Sequence, residues 1–219
     1  PWDLNKFEFY VSGLKVRNKQ NKELVSVKSL LIVSNTLPSG NDASPTVGIG
    51  SAYALKIKSN EIHFAKFLKF PLGHDISQLS SDLRVTGFFG PKANIKSLDK
   101  WRDSGGIIEV RAFKTNYGLL MIDAVGTVAL DKKLQPIAAM SAKFKGLFST
   151  INRLKETGYI RPSDEALVRV ILGIFSTRVG NGRRSISLPI TLQDGQLSIG
   201  PASLMKVPLI VWQKEIVDN

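Results

Sequence analysis

The chain has 219 residues, 43% apolar and 22% charged, a balance that excludes a disordered chain and leaves enough apolar surface for one substantial core. Its 30 Lys and Arg outnumber 18 Asp and Glu for a net charge of +12, which favours an anionic partner such as nucleic acid, phospholipid head groups or an acidic polysaccharide without choosing among them. The absence of cysteine excludes disulfides, thiolate zinc sites and a Cys nucleophile.

The sequence opens at Pro1-Trp2-Asp3 and runs almost directly into a strand pattern, as expected if an anchor or export signal lies upstream. Phe7, Phe9 and Val11 alternate on one face, followed by Leu14 and Val16 interleaved with Lys15 and Arg17. A polar tip at Lys19–Lys22 leads to a second strand over Leu24–Val33, too apolar throughout to assign its faces. The two are expected to pair as a hairpin. Asn35–Pro45 collects turn-forming residues and reads as a long surface loop. Strand character resumes at Tyr53, Leu55 and Ile57, with Lys56 and Lys58 facing the other way. It continues through Ile62 and Phe64 and, beyond a Pro-Leu-Gly interruption, Leu83 and Val85. A short helix from Ile95 to Arg102 ends in Ser104-Gly105-Gly106, where glycine can take the left-handed cap.

Three strand-like runs follow, Ile107–Phe113, Leu119–Leu130 and Ile137–Phe144, broken at Asn116-Tyr117-Gly118 and at Asp131–Pro136. Leu147, Ile151 and Leu154 switch to helical spacing, which Gly158 stops. A second helix is expected to start at Pro162-Ser163-Asp164-Glu165 and to bury Leu167, Val170, Ile171, Ile174 and Phe175. Ile186, Leu188, Ile190 and Leu192 then alternate up to Asp194-Gly195, a two-residue turn that sets Leu192 against Leu197 and Ile190 against Ile199 on one face. Pro189 points to an edge strand. The fold class is therefore α+β, a largely antiparallel curved sheet of meander and hairpins with two adjacent helices near the C-terminal end packed on it. Residues 1–219 read as a single β-rich domain, with sub-lobes at 1–90 and 91–219 conceivable.

Catalytic constellations are hard to assemble. The two histidines fall on the polar face of a strand (His63) and in a turn (His74), and both read as surface residues. Gly48-Ile49-Gly50-Ser51-Ala52 precedes a strand pattern rather than the helix that dinucleotide binding requires. Asp164 and Glu165 fit helix-dipole stabilisation, and Asp123 a solvent-facing or edge position. No metal, cofactor or enzymatic activity is expected. Lys15, Arg17, Lys56, Lys58, Lys143 and Lys145 stand opposite apolar neighbours on predicted strands, so they form a candidate anionic-ligand surface on the outer face of a sheet. Sequence-specific nucleic-acid recognition is not expected, because no aromatic platform or helix-turn-helix spacing accompanies the charge.

Trp101-Arg102-Asp103-Ser104-Gly105-Gly106, the run Gly126-Thr127-Val128-Ala129-Leu130-Asp131-Lys132-Lys133-Leu134-Gln135-Pro136, and the closing hairpin Leu188–Pro201 resemble an uncharacterised alphaproteobacterial family, domain-of-unknown-function family twenty-one twenty-five. The resemblance extends over Trp101 to Trp212. The sequence departs from the family pattern at Tyr117, where the family tends toward tryptophan, and in its abundance of lysine. The family in turn looks distantly similar to AsmA-like envelope proteins, whose long curved sheets are associated with lipid handling. The resemblance implies a periplasmic body anchored to the inner membrane by an N-terminal helix, with a further β-rich segment upstream, both outside this chain. It also implies phospholipid or another anionic envelope lipid as partner, held in an apolar groove of the sheet. The alternative is a structural or protein-partner-binding envelope module with no small ligand.

Overall fold

The computed structural model describes residues 6–37, 52–68, 70, 72–87, 94–156, 158, 176–179, 183–200 and 202–212. In chain order the elements are β1 (Lys6–Arg17), β2 (Glu23–Leu37), β3 (Ala52–Phe64), β4 (Asp75–Thr86), α1 (Ile95–Asp103), β5 (Ile107–Tyr117), β6 (Leu120–Leu130) and β7 (Pro136–Lys145). They continue with α2 (Leu147–Glu156), β8 (Ser176–Val179), β9 (Arg183–Gln193), β10 (Gln196–Ile199) and β11 (Ala202–Lys206). The strands form one 11-stranded sheet in the order β1-β2-β3-β4-β5-β6-β7-β9-β10-β11, with β8 also paired to β9. Every described pairing is antiparallel, as expected where short turns join successive strands. The expected α+β class holds. The expected helix over 162–175, with Asp164 and Glu165, lies outside the described residues, as do residues 38–51.

The β1–β2 hairpin forms as read, but β2 is longer than its apolar run. Asn35, Thr36 and Leu37, assigned to a loop, pair with Ala54, Tyr53 and Ala52, because the ladder supplies backbone partners that turn-forming side chains do not forbid. Ala52, the last residue of the glycine-containing stretch, opens a strand rather than a helix. Asn116 and Tyr117 were expected in a break, yet they pair with Met121 and Leu120, and the chain turns at Gly118-Leu119.

Pro189 was expected on an edge strand, yet β9 lies inside the sheet. On one side β7 pairs along Ser185–Leu192. On the other, β8 ends its pairing at Ile186 and β10 begins at Ile190. Pro189 occupies the gap between them, where its missing N–H breaks no ladder bond, and its carbonyl accepts the Gly200 N–H at 2.7 Å.

α1 is capped by Asn94, whose side chain accepts the Ser97 N–H at 2.9 Å, and it stops at Gly105 (φ +76°). Trp101 is buried and donates its indole N–H to the Thr86 carbonyl at 2.7 Å, tying the helix to the end of β4. Gly106 lies flat against that indole, and a Cβ there would sit 2.4 Å from the ring. The Asp194-Gly195 turn has positive φ at both residues, +51° and +70°, and sets Leu192 against Leu197 and Ile190 against Ile199 as the alternation predicts. The runs that carry the family resemblance thus have structural duties.

The core sits on one face of β6, β7 and β9, where α2 lays Ile151 over Leu120, Phe144 and Ile186. Ala124, Ala142 and Leu188 complete the buried set, and Phe113, Met140, Leu147 and Phe148 pack around it. The C-terminal segment returns to the β6–β7 turn. There the buried Gln135 amide exchanges hydrogen bonds with the backbone of Ile210, and Trp212 donates to the Leu134 carbonyl at 3.2 Å.

Candidate functional site

Residues directly opposite one another in an antiparallel ladder share a face, so the register defines both faces of the sheet. The face that α2 covers continues from β9 to β1. Ile190, Met140, Gly126, Val110, Leu83, Leu55, Ser34 and Phe7 form one row. Leu188, Ala142, Ala124, Phe113, Ser81, Ile57, Ile32 and Phe9 form the next. Ile186, Phe144, Ile122, Thr115, Leu79, Ser59, Leu30 and Val11 form a third.

Beyond Val11 the sequence pattern changes phase, with Leu14 rather than Gly13 as the next apolar residue. The register does not slip, since Ser12 pairs with Ser29 and Leu14 with Val27. Instead each of the first four strands spends two successive residues on exposed or polar positions, Ser12-Gly13, Lys28-Ser29, Asn60-Glu61 and Ser77-Gln78. Gly13 (φ +68°) and Glu61 (φ +48°) adopt left-handed conformations in that line. The apolar face therefore resumes with Leu14, Val27, Ile62 and Ile76 in one row and Val16, Val25 and Phe64 in the next. At this line the buried hydroxyls of Ser59 and Thr115 donate to the carbonyls of Ser29 and Gln78 at 3.2 and 3.1 Å, so these two buried polar side chains on the apolar face are satisfied by the sheet itself.

The two halves of this face differ in cover. Under α2, Ala142 and Leu188 are 0% and 2% exposed, whereas Phe9 and Phe7 at the β1 end of the same rows are 44% and 53% exposed. Leu55, Ile57, Leu30 and Ile32 between them are half-buried. Among the described residues, the helix that covers this face, α2, packs on β6 and the β6–β9 core. At the far end of β3, Phe70 stacks on Phe64 with ring centres 4.4 Å apart, and Leu72 packs against the β6–β9 core. The open region spans four strands, about 14 Å at ~4.8 Å per step, and about 30 Å from Phe7 to Val16 at ~3.3 Å per residue.

The six candidate basic residues all fall on the opposite, outer face, but not in one patch. Lys15 and Arg17 belong to β1, Lys56 and Lys58 to β3, and Lys143 and Lys145 to β7, which lies four strands from β3, about 19 Å at ~4.8 Å per step. Lys15 pairs with Glu23 at 3.4 Å and Lys56 faces Asp82 at 3.9 Å. Lys114, which the sequence reading passed over, lies in the ladder row Lys143, Asp123, Lys114, Ser80 and Lys58, and bonds Asp123 at 3.7 Å. Asp123 is exposed there, in the interior of the sheet rather than at an edge.

An outer-face depression of about 520 Å³ follows the phase-change line. Lys15, Lys28, Glu61, His63, Asp75 and Ser77 line it together with Leu14, Val27, Ile62 and Ile76, Lys28 pairs with Glu61, and His63 Nδ1 lies within hydrogen-bond distance of Asp75. His63 is solvent-facing as expected. His74 is not the surface residue expected of its turn, because it packs edge-on to Phe70 with ring centres 6.4 Å apart and its Nδ1 is buried.

The profile of the family described as "uncharacterized protein conserved in bacteria (DUF2125)" matches residues 54–208. The chain belongs to the DUF2125 family. The match begins in β3, well before the Trp101 boundary drawn from the sequence motifs, and ends short of Trp212. The DUF2125 region therefore includes β4, both described helices and the core, together with nearly all of β3, while β1 and β2 precede it. No curated protein and no solved structure matches the chain.

Proposed function

We propose that this DUF2125 protein is a non-enzymatic bacterial envelope protein that holds lipid acyl chains on the open apolar face of β1–β4. The observation that carries the reading is the asymmetry of one continuous apolar face, sealed by α2 at β6–β9 and, among the described residues, more exposed toward β1. A bilayer's hydrocarbon core is about 30 Å thick for two opposed chains, so a single chain of about 15 Å fits the open region. Burying about ten methylenes at ~0.8 kcal/mol each provides at most about 8 kcal/mol, equivalent to a dissociation constant of about 1 μM. That is the upper limit, before the cost of immobilising the chain. The periplasmic location, with anchorage to the inner membrane, belongs to the same proposal and draws on the resemblance to AsmA-like proteins.

The basic residues have a different part in this reading. Because Lys56, Lys58, Lys143 and Lys145 stand on the outer face, they make no direct contact with the head group of a lipid lying on the apolar one. Their field instead steers the protein toward anionic surfaces at long range.

Native mass spectrometry and lipid extraction on protein purified from bacterial membranes test the proposal. Acyl lipid at near-stoichiometric occupancy in the wild type, lost in a folded Ile57→Trp variant that fills the open face, is the expected result. A folded wild type free of lipid contradicts it and favours a structural or protein-partner-binding envelope module.

A further inference from the structure

Successive strands of a meander alternate in direction, so the β1–β2, β3–β4 and β5–β6 connections leave from one end of the sheet. The register aligns them there, with Val16 paired to Val25, Val25 to Phe64, Ile76 to Tyr117 and Met121 to Lys145. Lys6 starts β1 at the opposite end, where the segment through Trp212 also lies against the β6–β7 turn, so internal segments build this end. Two of its connections carry exposed apolar side chains, Phe67 and Leu119, each 58% exposed. Its cations are Arg17, Lys19, Lys22 and Lys66, all exposed, and Lys145 at the end of β7 adds to them. The acids nearest this end, Glu23, Glu61 and Asp75, each lie against a partner, respectively Lys15, Lys28 and His63. Among the described residues no carboxylate pairs with the five cations, so the end stays strongly positive even where His63 is neutral. The opposite end mixes its signs, with Asp99, Asp103 and Asp131 among the cations of α1 and the β6–β7 turn.

We infer that this end of the sheet is a docking rim for an anionic phospholipid bilayer. Exposed apolar side chains flanked by lysines match the two layers of a membrane interface, since the apolar groups enter the boundary of the acyl region while the cations meet lipid phosphates. A water-borne polyanion such as nucleic acid would engage the cations and leave Phe67 and Leu119 without a use. The β1–β2 and β5–β6 turns lie four strand steps apart, about 19 Å at ~4.8 Å per step, so the three connections offer several weak contacts along one line. Each cation adds a modest, salt-screened attraction, and the docking is therefore reversible. One extension rests on the acyl-chain reading above. The open region runs from Phe7 toward Val16, which borders this end, so a seated rim brings the end of the open face to the membrane.

Co-sedimentation of the delipidated chain is expected to show salt-sensitive binding to vesicles that contain phosphatidylglycerol and none to vesicles of phosphatidylcholine alone. Lys19→Gln combined with Lys22→Gln is expected to weaken that binding about 30-fold, from about fivefold per cation. Lys132→Gln combined with Lys133→Gln removes the same charge from the exposed β6–β7 turn at the other end and is expected to change it less than about threefold, because those charges lie beyond the screening length. Circular dichroism confirms that each variant is folded. The chain contains no cysteine, so an environment-sensitive dye on Phe67→Cys reports entry into the bilayer, and the same dye on Val125→Cys, mid-strand on the outer face of β6, is the control. A blue shift on anionic vesicles at Phe67→Cys alone is expected. A folded wild type that ignores anionic vesicles, equal losses in the two lysine pairs, or an unshifted dye at Phe67→Cys overturns the inference. Binding to double-stranded DNA but not to vesicles overturns the choice of partner. A wild type that binds vesicles yet carries no acyl lipid by native mass spectrometry upholds the rim and contradicts the acyl-chain reading alone.

Discussion

Truncating one residue in each half of the same ladder row measures the difference in cover directly. Leu188 and Ile57 lie on one face, joined through Ala142, Ala124, Phe113 and Ser81. Leu188 is 2% exposed and surrounded by core, so Leu188→Ala loses transfer free energy and leaves a cavity, a cost of about 2–5 kcal/mol. Ile57 is half-buried on the open region. Ile57→Ala removes about three methylene equivalents, at most ~2.4 kcal/mol if fully buried. With solvent already present and no closed cavity to leave, the expected cost is about 1 kcal/mol. Urea titrations of delipidated protein followed by circular dichroism compare the two midpoints at constant slope. Equal losses would refute the reasoning, because they would mean that the β1–β4 face is packed as tightly as the β6–β9 core.

Two further outcomes concern how the face is framed. Trp101→Phe keeps an aromatic ring but removes the 2.7 Å bond to the Thr86 carbonyl, so it is expected to lower stability by about 1–3 kcal/mol by leaving a part-buried acceptor unmet, measured in the same titration. Gly13→Ala puts its methyl group into open space, so its whole cost, about 1–2 kcal/mol, is that of a left-handed backbone; a neutral result would show that the phase change does not depend on that conformation.

The strands that alternate cleanly were legible. Asp194-Gly195 and the residues around it specified the closing hairpin down to its pairs, because a two-residue turn and alternation constrain the same register. β2 was not legible in its faces. Leu30 and Ile32 lie on the apolar side, while Leu31 and Val33 lie outward between Tyr10 or Glu8 on β1 and Lys58 or Lys56 on β3, and a strand apolar on both sides carries no period. The step from Val11 to Leu14 was visible as a change of phase. Its cause was not, because Glu61 supports the same line on β3 in a left-handed conformation that no glycine announces.

The basic residues lie on the side away from the apolar face, but their distances from one another depend on strand order. β3 and β7 are separated by three intervening strands, which local alternation does not reveal. Pro189 misled for a related reason. The rule excluding proline from interior strands applies to paired backbone, and the gap between β8 and β10 leaves this position unpaired on one side.

The most direct test of the open face uses its own two-residue period. A photoreactive side chain placed in turn at Leu55, Lys56, Ile57 and Lys58 of β3 samples the apolar and outer faces alternately, and irradiation in bacterial membranes followed by mass spectrometry reports what each position touches. The account predicts acyl-lipid adducts at Leu55 and Ile57 and none at Lys56 and Lys58. Lipid adducts of equal yield at all four positions, or at none of them in folded protein, would contradict it.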